Sequence, residues 1–253
     1  SQLGSDILGE TSTDQLGTSV ALSGDGTILA VGAPNDDATG TDAGHVRVYQ
    51  YSSSTWSQLG SDIDGEAAGD NSGISVALSY DGSIVAIGAD KNDGTGTEAG
   101  HVRVYEYSGS SWSQLGSDID AEAAGDGFGR ALSLSSNGKI IAIAARLNDG
   151  SYSNAGHVRI LEFNNGDWSR IGSDIDGEAA SDLSGRSVSI SADGSIVAIG
   201  SSNNDGNGNT AGHVRVYQLS SGSWTQLGGD IDGENSGDES GFSVSLSDDG
   251  TLL

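Results

Sequence analysis

The chain has 253 residues, with 41 glycines, one proline and neither cysteine nor methionine, and its 36 acidic against 10 basic residues give a formal net charge of −26. Without cysteine there are no disulfides, thiolate nucleophiles or Cys-based zinc sites. So acidic a surface is expected to repel nucleic acid and anionic membranes, whose binding needs clustered Lys and Arg, and to attract cations.

In chain order, the first predicted element is a lone strand at 2–7, after which one pattern recurs. Histidines stand at 45, 101, 157 and 213 and tryptophans at 56, 112, 168 and 224, each interval being 56 residues. A fixed period of this size is the mark of propellers, solenoids and arrays. In the second unit, Gly73-Ile74-Ser75-Val76-Ala77-Leu78-Ser79 alternates as a half-buried strand does. Tyr80-Asp81-Gly82 gives a hairpin turn. Ser83-Ile84-Val85-Ala86-Ile87-Gly88-Ala89 is apolar nearly throughout, which suits a strand covered on both faces. A polar loop from Asp90 to Gly100 leads to the alternating strand His101-Val102-Arg103-Val104-Tyr105-Glu106-Tyr107, and Trp112-Ser113-Gln114-Leu115-Gly116 follows a Ser/Gly turn. Four short strands per unit with no helical period make one propeller blade.

The expected fold is therefore all-β: a β-propeller of four-stranded antiparallel blades in a single domain, 1–253. Its units are 1–56, 57–112, 113–168, 169–224 and a partial 225–253. The strand at 2–7, four in each full unit and two more at 242–253 fall one short of five blades. Either the two ends share a fifth blade, or the units belong to a longer array. No apolar run approaches the ~20 residues that span a bilayer. The opening Ser1-Gln2-Leu3-Gly4-Ser5-Asp6 lacks the features of a signal peptide, which is expected to be already removed or to lie outside this sequence.

The string Gly-x-Ser-Val-Ala-Leu-Ser, Asp-Gly, Val31-Gly32-Ala33-Pro34 and Gly44-His45-Val46-Arg47-Val48-Tyr49 resembles the FG-GAP repeat of integrin α-subunit propellers. Phe128-Gly129 and Gly241-Phe242-Ser243-Val244 add to the likeness, which runs through every unit. The resemblance implies a propeller, a secreted or cell-surface setting, and a part in binding or adhesion. Two features depart from that family. Its calcium loop, Asp-x-Asp-x-Asp-Gly between the first two strands, is replaced by Gly24-Asp25-Gly26, Tyr80-Asp81-Gly82 and their equivalents. Its usual seven blades exceed what this chain supplies.

The acidic turn Ser61-Asp62-Ile63-Asp64-Gly65-Glu66-Ala67-Ala68-Gly69-Asp70 recurs at 117–126, 173–182 and 229–238, with Leu8 replacing an aspartate in the copy at 5–14. Its carboxylates are candidate calcium ligands: Asp62, Asp64, Glu66 and Asp70; Asp118, Asp120 and Glu122; Asp174, Asp176 and Glu178; Asp230, Asp232 and Glu234. The alternative is a turn whose carboxylates cap backbone N–H groups or pair with Arg103 and its equivalents. Four histidines in one Ala-Gly-His-Val-Arg context point to a structural role, since catalysis needs one placed histidine with partners. The tryptophans are expected to pack between blades, with a sugar-stacking platform as the alternative. The Gly94-x-Gly96-x-x-Ala99 string precedes a strand instead of a helix, which argues against dinucleotide binding. Lys91, Lys139, Arg130, Arg146 and Arg186 occur in single copies and form no evident set in the sequence. The expected function is a non-enzymatic extracellular structural or adhesion module that contacts other protein chains, copies of itself or glycans. The alternative is a calcium-dependent or carbohydrate-binding propeller, with calcium the one cofactor considered.

Overall fold

The computed structural model describes residues 2–253, which form four antiparallel sheets in succession. The first contains β1 (Ser19–Leu22), β2 (Ile28–Ala33), β3 (His45–Ser52), β4 (Thr55–Gln58) and a two-residue β5 (Ile63–Asp64). The second contains β6 (Ser75–Leu78), β7 (Ile84–Ala89), β8 (His101–Tyr107), β9 (Trp112–Gln114) and β10 (Ile119–Asp120). The third contains β11 (Phe128–Leu134), β12 (Ile140–Ala145), β13 (His157–Asn164), β14 (Asp167–Arg170) and β15 (Ile175–Asp176). The fourth contains β16 (Ser187–Ile190), β17 (Ile196–Ser201), β18 (His213–Ser220), β19 (Ser223–Gln226) and β20 (Ile231–Asp232). No helix long and apolar enough to cross a membrane is present among them.

Each sheet is a blade with the expected order. The apolar second strand is covered on both sides, as its sequence required: every residue of β7 is buried. The first hairpin closes on an Asx turn, in which Asp81 Oδ1 accepts from the Ser83 N–H at 2.9 Å and from the Ser79 hydroxyl at 2.7 Å. Asp25, Asn137, Asp193 and Asp249 repeat this cap. The two-residue fifth strand is an addition to the predicted four. The chain leaves the fourth strand, crosses a glycine and pairs again with the third, as with His101↔Asp120.

Hydrophobic cores lie between successive sheets. One joins Val48, Ile63, Val85 and Ile87, the next Ile84, Val104, Phe128, Ile141 and Leu161, and the third Ile160, Ile175, Val197 and Ile199. Full burial of each such side chain contributes about 1.5–3 kcal/mol, so a blade's stability resides largely in its neighbours. The inner strands β1, β6, β11 and β16 touch in sequence. At the hairpin end of the axis, the Gly24 N–H donates to Tyr80 O (2.7 Å), Tyr80 to Ser136 (2.8 Å), Ser136 to Ala192 (2.9 Å) and Ala192 to Asp248 (2.8 Å). The turn of a fifth unit is thereby seated on the fourth blade.

The three terminal strands predicted from sequence, one at 2–7 and two at 242–253, are absent among the described residues. Residues 2–7 form no ladder, and their tie to the first blade is Leu3 O, which accepts from Trp56 Nε1 at 3.0 Å. Residues 242–253 keep the turn, with the Ser247 N–H on Leu252 O at 3.0 Å, but have no third strand to pair with. Among the described residues no hydrogen bond joins 2–16 to 240–253, so the two ends do not complete a shared blade. Leu22 on the first inner strand is accordingly 59 % exposed, whereas Ile190 on the fourth is 7 % exposed.

Candidate functional site

The acidic turns act first as clasps between blades. Glu66 reaches forward to Arg103 (3.4 Å) and Glu178 to Arg215 (3.2 Å), and Glu10 and Glu122 pair likewise with Arg47 and Arg159. Arg103 and Arg215 also donate to the backbone carbonyls of Asp64 (2.6 Å) and Asp176 (2.8 Å) in the preceding turn, and the Asp120 carbonyl receives Arg159. Arg103 and Arg215 lie over the rings of Tyr105 and Tyr217. Trp112, Trp168 and Trp224 each donate Nε1 to a carbonyl in the connector of the blade before, at 2.8 Å. The tryptophans therefore sit between blades as expected.

The other turn carboxylates have separate partners. Asp70 is buried, where Oδ2 accepts from the Ala67 N–H (3.0 Å) and from Asn92 Nδ2 (3.0 Å), and the pairs Asp126–Asn148 and Asp182–Asn204 repeat this contact. The Asn92 loop is thus anchored inward at its start. Asp62, Asp118 and Asp230 accept from Gln58, Gln114 and Gln226, whereas Asp174 pairs with Arg159 and Arg170. Burial, then the charge of Asp62, pushes the Asp64 carboxyl up. Asp176 accepts from the Ser151 hydroxyl, while Asp232 and Glu234 are exposed. The groups of three ligand-capable atoms within 4.8 Å of one another bring in the histidines: His45/Asp62/Asp64, Glu66/His101/Asp118, Glu122/His157/Asp174 and Glu178/His213/Asp230. The carboxylates of one turn are divided between two blade junctions. Burial holds the imidazoles of His101, His157 and His213 below the ordinary histidine range, favouring the neutral ring.

A second constellation was not evident in the sequence. Asp90 follows β7, Arg146 follows β12, Arg186 precedes β16, and Arg130 lies in β11, where the register shifts between Phe128 and Ala131. Such a bulge re-aims a side chain. In an antiparallel pair the start of the inner strand lies beside the end of the second, as in Phe128↔Ala145. These residues therefore gather at the end of the axis opposite the Gly24–Asp248 turns. Arg130 Nε stands 3.7 Å from Asp90 Oδ2, and Arg186 stacks 4.1 Å from the Phe242 ring centroid. Among the described residues Arg146 and Arg186 make no ion pair. Burial, then the charges of Arg130 and Arg186, lowers the Arg146 pKa. Burial raises that of Asp90, against the pull of Arg130, Lys91 and Arg146. Half-buried guanidiniums that outnumber their carboxylate make a receptor for an anion, and a carboxyl of raised pKa beside them can exchange a proton.

Residues 9–49 match the FG-GAP repeat family. That segment carries an FG-GAP-like repeat. No curated protein matches its sequence. Among solved structures it is similar to a Bacteroides uniformis protein provisionally assigned as a 6-phosphogluconolactonase. That likeness has a TM-score of 0.57 and 15% identity, over 85% of this chain and 54% of that one. The periplasmic gluconolactonase of Pseudomonas aeruginosa gives a TM-score of 0.56 and 19% identity, over 84% and 53%. Hydrazine synthase of Kuenenia stuttgartiensis gives 0.53 and 15%, over 83% and 53%. This chain spans about half the length of the structures it matches, and at these identities the likeness concerns the fold.

These findings correct the functional expectation. The blade arrangement is shared with proteins named as enzymes, and no feature of the structure points to adhesion. The expectation of a non-enzymatic adhesion module is corrected accordingly: the fold it was drawn from is also that of proteins named as lactonases, so the fold does not set enzymes aside. The sequence argument against an enzyme rested on the lack of a single-copy set of polar residues. Asp90, Arg130, Arg146 and Arg186 are such a set.

Proposed function

We propose that this FG-GAP-like propeller binds an anionic small molecule at its axial end and that it is a hydrolase of the lactonase type. The observation that carries the reading is the Arg130–Asp90 pair at 3.7 Å with Arg146 beside both and Arg186 next to Arg146, in a chain whose charge is otherwise strongly negative. Arg146 and Arg186, lacking carboxylate partners, would hold a phosphate or carboxylate of the substrate. Arg130 would face the carbonyl oxygen that gains charge as water adds. Asp90 would take the proton of that water and return it to the ring oxygen as the acyl C–O bond of the lactone breaks, a task suited to a carboxyl whose pKa burial has raised. The names of the similar structures favour a sugar-acid lactone over other esters.

The blade count we propose for this chain is five, the last incomplete, because the 247–250 turn meets the fourth blade through the hydrogen bond that joins the earlier turns.

The test is hydrolysis of a phosphorylated sugar δ-lactone, followed by proton release above the spontaneous rate. Saturable acceleration that falls by about 10²-fold or more in Asp90→Asn would support the reading. No acceleration by the unaltered chain, or full activity in Asp90→Asn, would refute it.

A further inference from the structure

The junction histidines have a chemistry that the axial site leaves unused. His101 and His213 are 2 % and 1 % exposed, and among the described residues neither imidazole has a hydrogen bond. Each ring faces carboxylates at distances too long for a hydrogen bond: His101 Nδ1 is 4.0 Å from Glu66 Oε2, and His213 Nδ1 is 3.7 Å from Asp230 Oδ2. Those oxygens are uncommitted. Arg103 takes the other oxygen of Glu66 and Arg215 takes Oε1 of Glu178, while Gln114 and Gln226 take Oδ1 of Asp118 and Asp230. One nitrogen and two carboxylate oxygens, each carboxylate held from its far side, thus lie within 4.8 Å of one another at both junctions.

We propose that the junctions Glu66/His101/Asp118 and Glu178/His213/Asp230 each bind one divalent transition-metal ion of the zinc class. Zinc takes nitrogen at about 2.0–2.1 Å and carboxylate oxygen at about 2.0–2.2 Å, which places donors roughly 3.3 Å apart around a tetrahedral ion. The His–carboxylate separations of 4.0 and 3.7 Å need to contract by about 0.4–0.7 Å to reach that spacing, and the remaining pairs, within 4.8 Å, by at most about 1.5 Å. Arg and Gln then act as the outer groups that orient the ligating carboxylates. A neutral nitrogen donor with two carboxylates suits zinc and its neighbours better than calcium, which prefers six to eight oxygens.

The other two junctions explain themselves as exceptions. At the third, Arg170 stands where the others have glutamine, and with Arg159 it occupies Asp174 Oδ2, the oxygen facing His157. At the first, Asp36 Oδ1 stands 3.1 Å from His45 Nδ1 where the other junctions have asparagine, and the two carboxylates grouped with His45, Asp62 and Asp64, come from one turn instead of two.

The experiment is calorimetric titration of chelator-treated full chain with zinc, repeated with calcium, and with cobalt followed by visible absorption. Two zinc ions per chain are expected, with His101→Gln and His213→Gln each removing one. Arg170→Gln, at an exposed position, is expected to add a third. An intense visible cobalt band would report nitrogen ligation at low coordination number. No saturable zinc uptake would overturn the proposal, as would a stoichiometry unmoved by the histidine changes, or calcium bound as tightly as zinc. None of these readouts depends on the axial arginines, so failure here is separable from failure of the proposed hydrolase.

Discussion

Asn92→Asp changes one atom of the side chain and tests whether the inward-anchored loop joins blades through its amide. Asn92 Nδ2 donates to Asp70 Oδ2 at 3.0 Å, and both residues are buried. A hydrogen bond to a charged acceptor is worth about 1.5–3 kcal/mol, and the substitution loses it while placing a second carboxylate against the first. The total cost at pH 7 is expected to be about 3 kcal/mol, or about 6–12 °C in Tm for a chain of this size. The sign with pH follows from linkage. The new carboxyl has a folded-state pKa raised above its unfolded value, so its penalty is full above the folded pKa, has largely faded by about pH 4 and is gone below the unfolded pKa of about 3.9, where both states are protonated. Urea unfolding of both proteins at pH 7 and near pH 4 gives the two differences. A cost below about 1 kcal/mol at pH 7, or one that does not shrink on acidification, would refute the reasoning.

Three other perturbations probe the packing and the axial charges. Phe128 is fully buried beneath Arg159, and Phe128→Ala is expected to cost about 3–5 kcal/mol in denaturant unfolding. Gly88 lies against Gly129 O and the Ser75 hydroxyl of its partner strand, where a Cβ would collide. The third blade carries Ala144 and Ala131 at the matching positions, so Gly88→Ala should cost about 2–3 kcal/mol and be partly rescued by Ser75→Ala, as a double-mutant cycle would show. Arg146→Gln removes an unpaired guanidinium from two others. It should stabilise the free chain by about 1 kcal/mol at low salt, less at high salt, and an unchanged or lowered Tm would count against the charge reading.

The blades were legible because their signals are local. Asp81-Gly82 fixes the hairpin, and the apolar run 84–87 reports a strand buried on both faces. The terminal strands were not legible, because 2–7 and 242–253 carry strand-like composition but lack ladder partners. The acidic turn looked like one cluster in sequence, yet Glu66 points to the next blade while Asp62 stays with its own. The axial set joins positions 90, 130, 146 and 186, which only the circular packing of inner strands brings together. A signal did exist: positions 18, 74, 130, 186 and 242 read Thr, Ile, Arg, Arg and Phe, and 34, 90, 146 and 202 read Pro, Asp, Arg and Ser. Columns that vary in charge within so regular a repeat mark where blades stop being interchangeable.

The most direct test of the axial site is calorimetric titration of the chain with a phosphorylated sugar acid, at low and at moderate salt. Saturable binding of one ligand, weakened by salt and abolished by Arg130→Gln with Arg146→Gln, is the predicted result. Absence of binding, or binding that survives the double substitution, would contradict it.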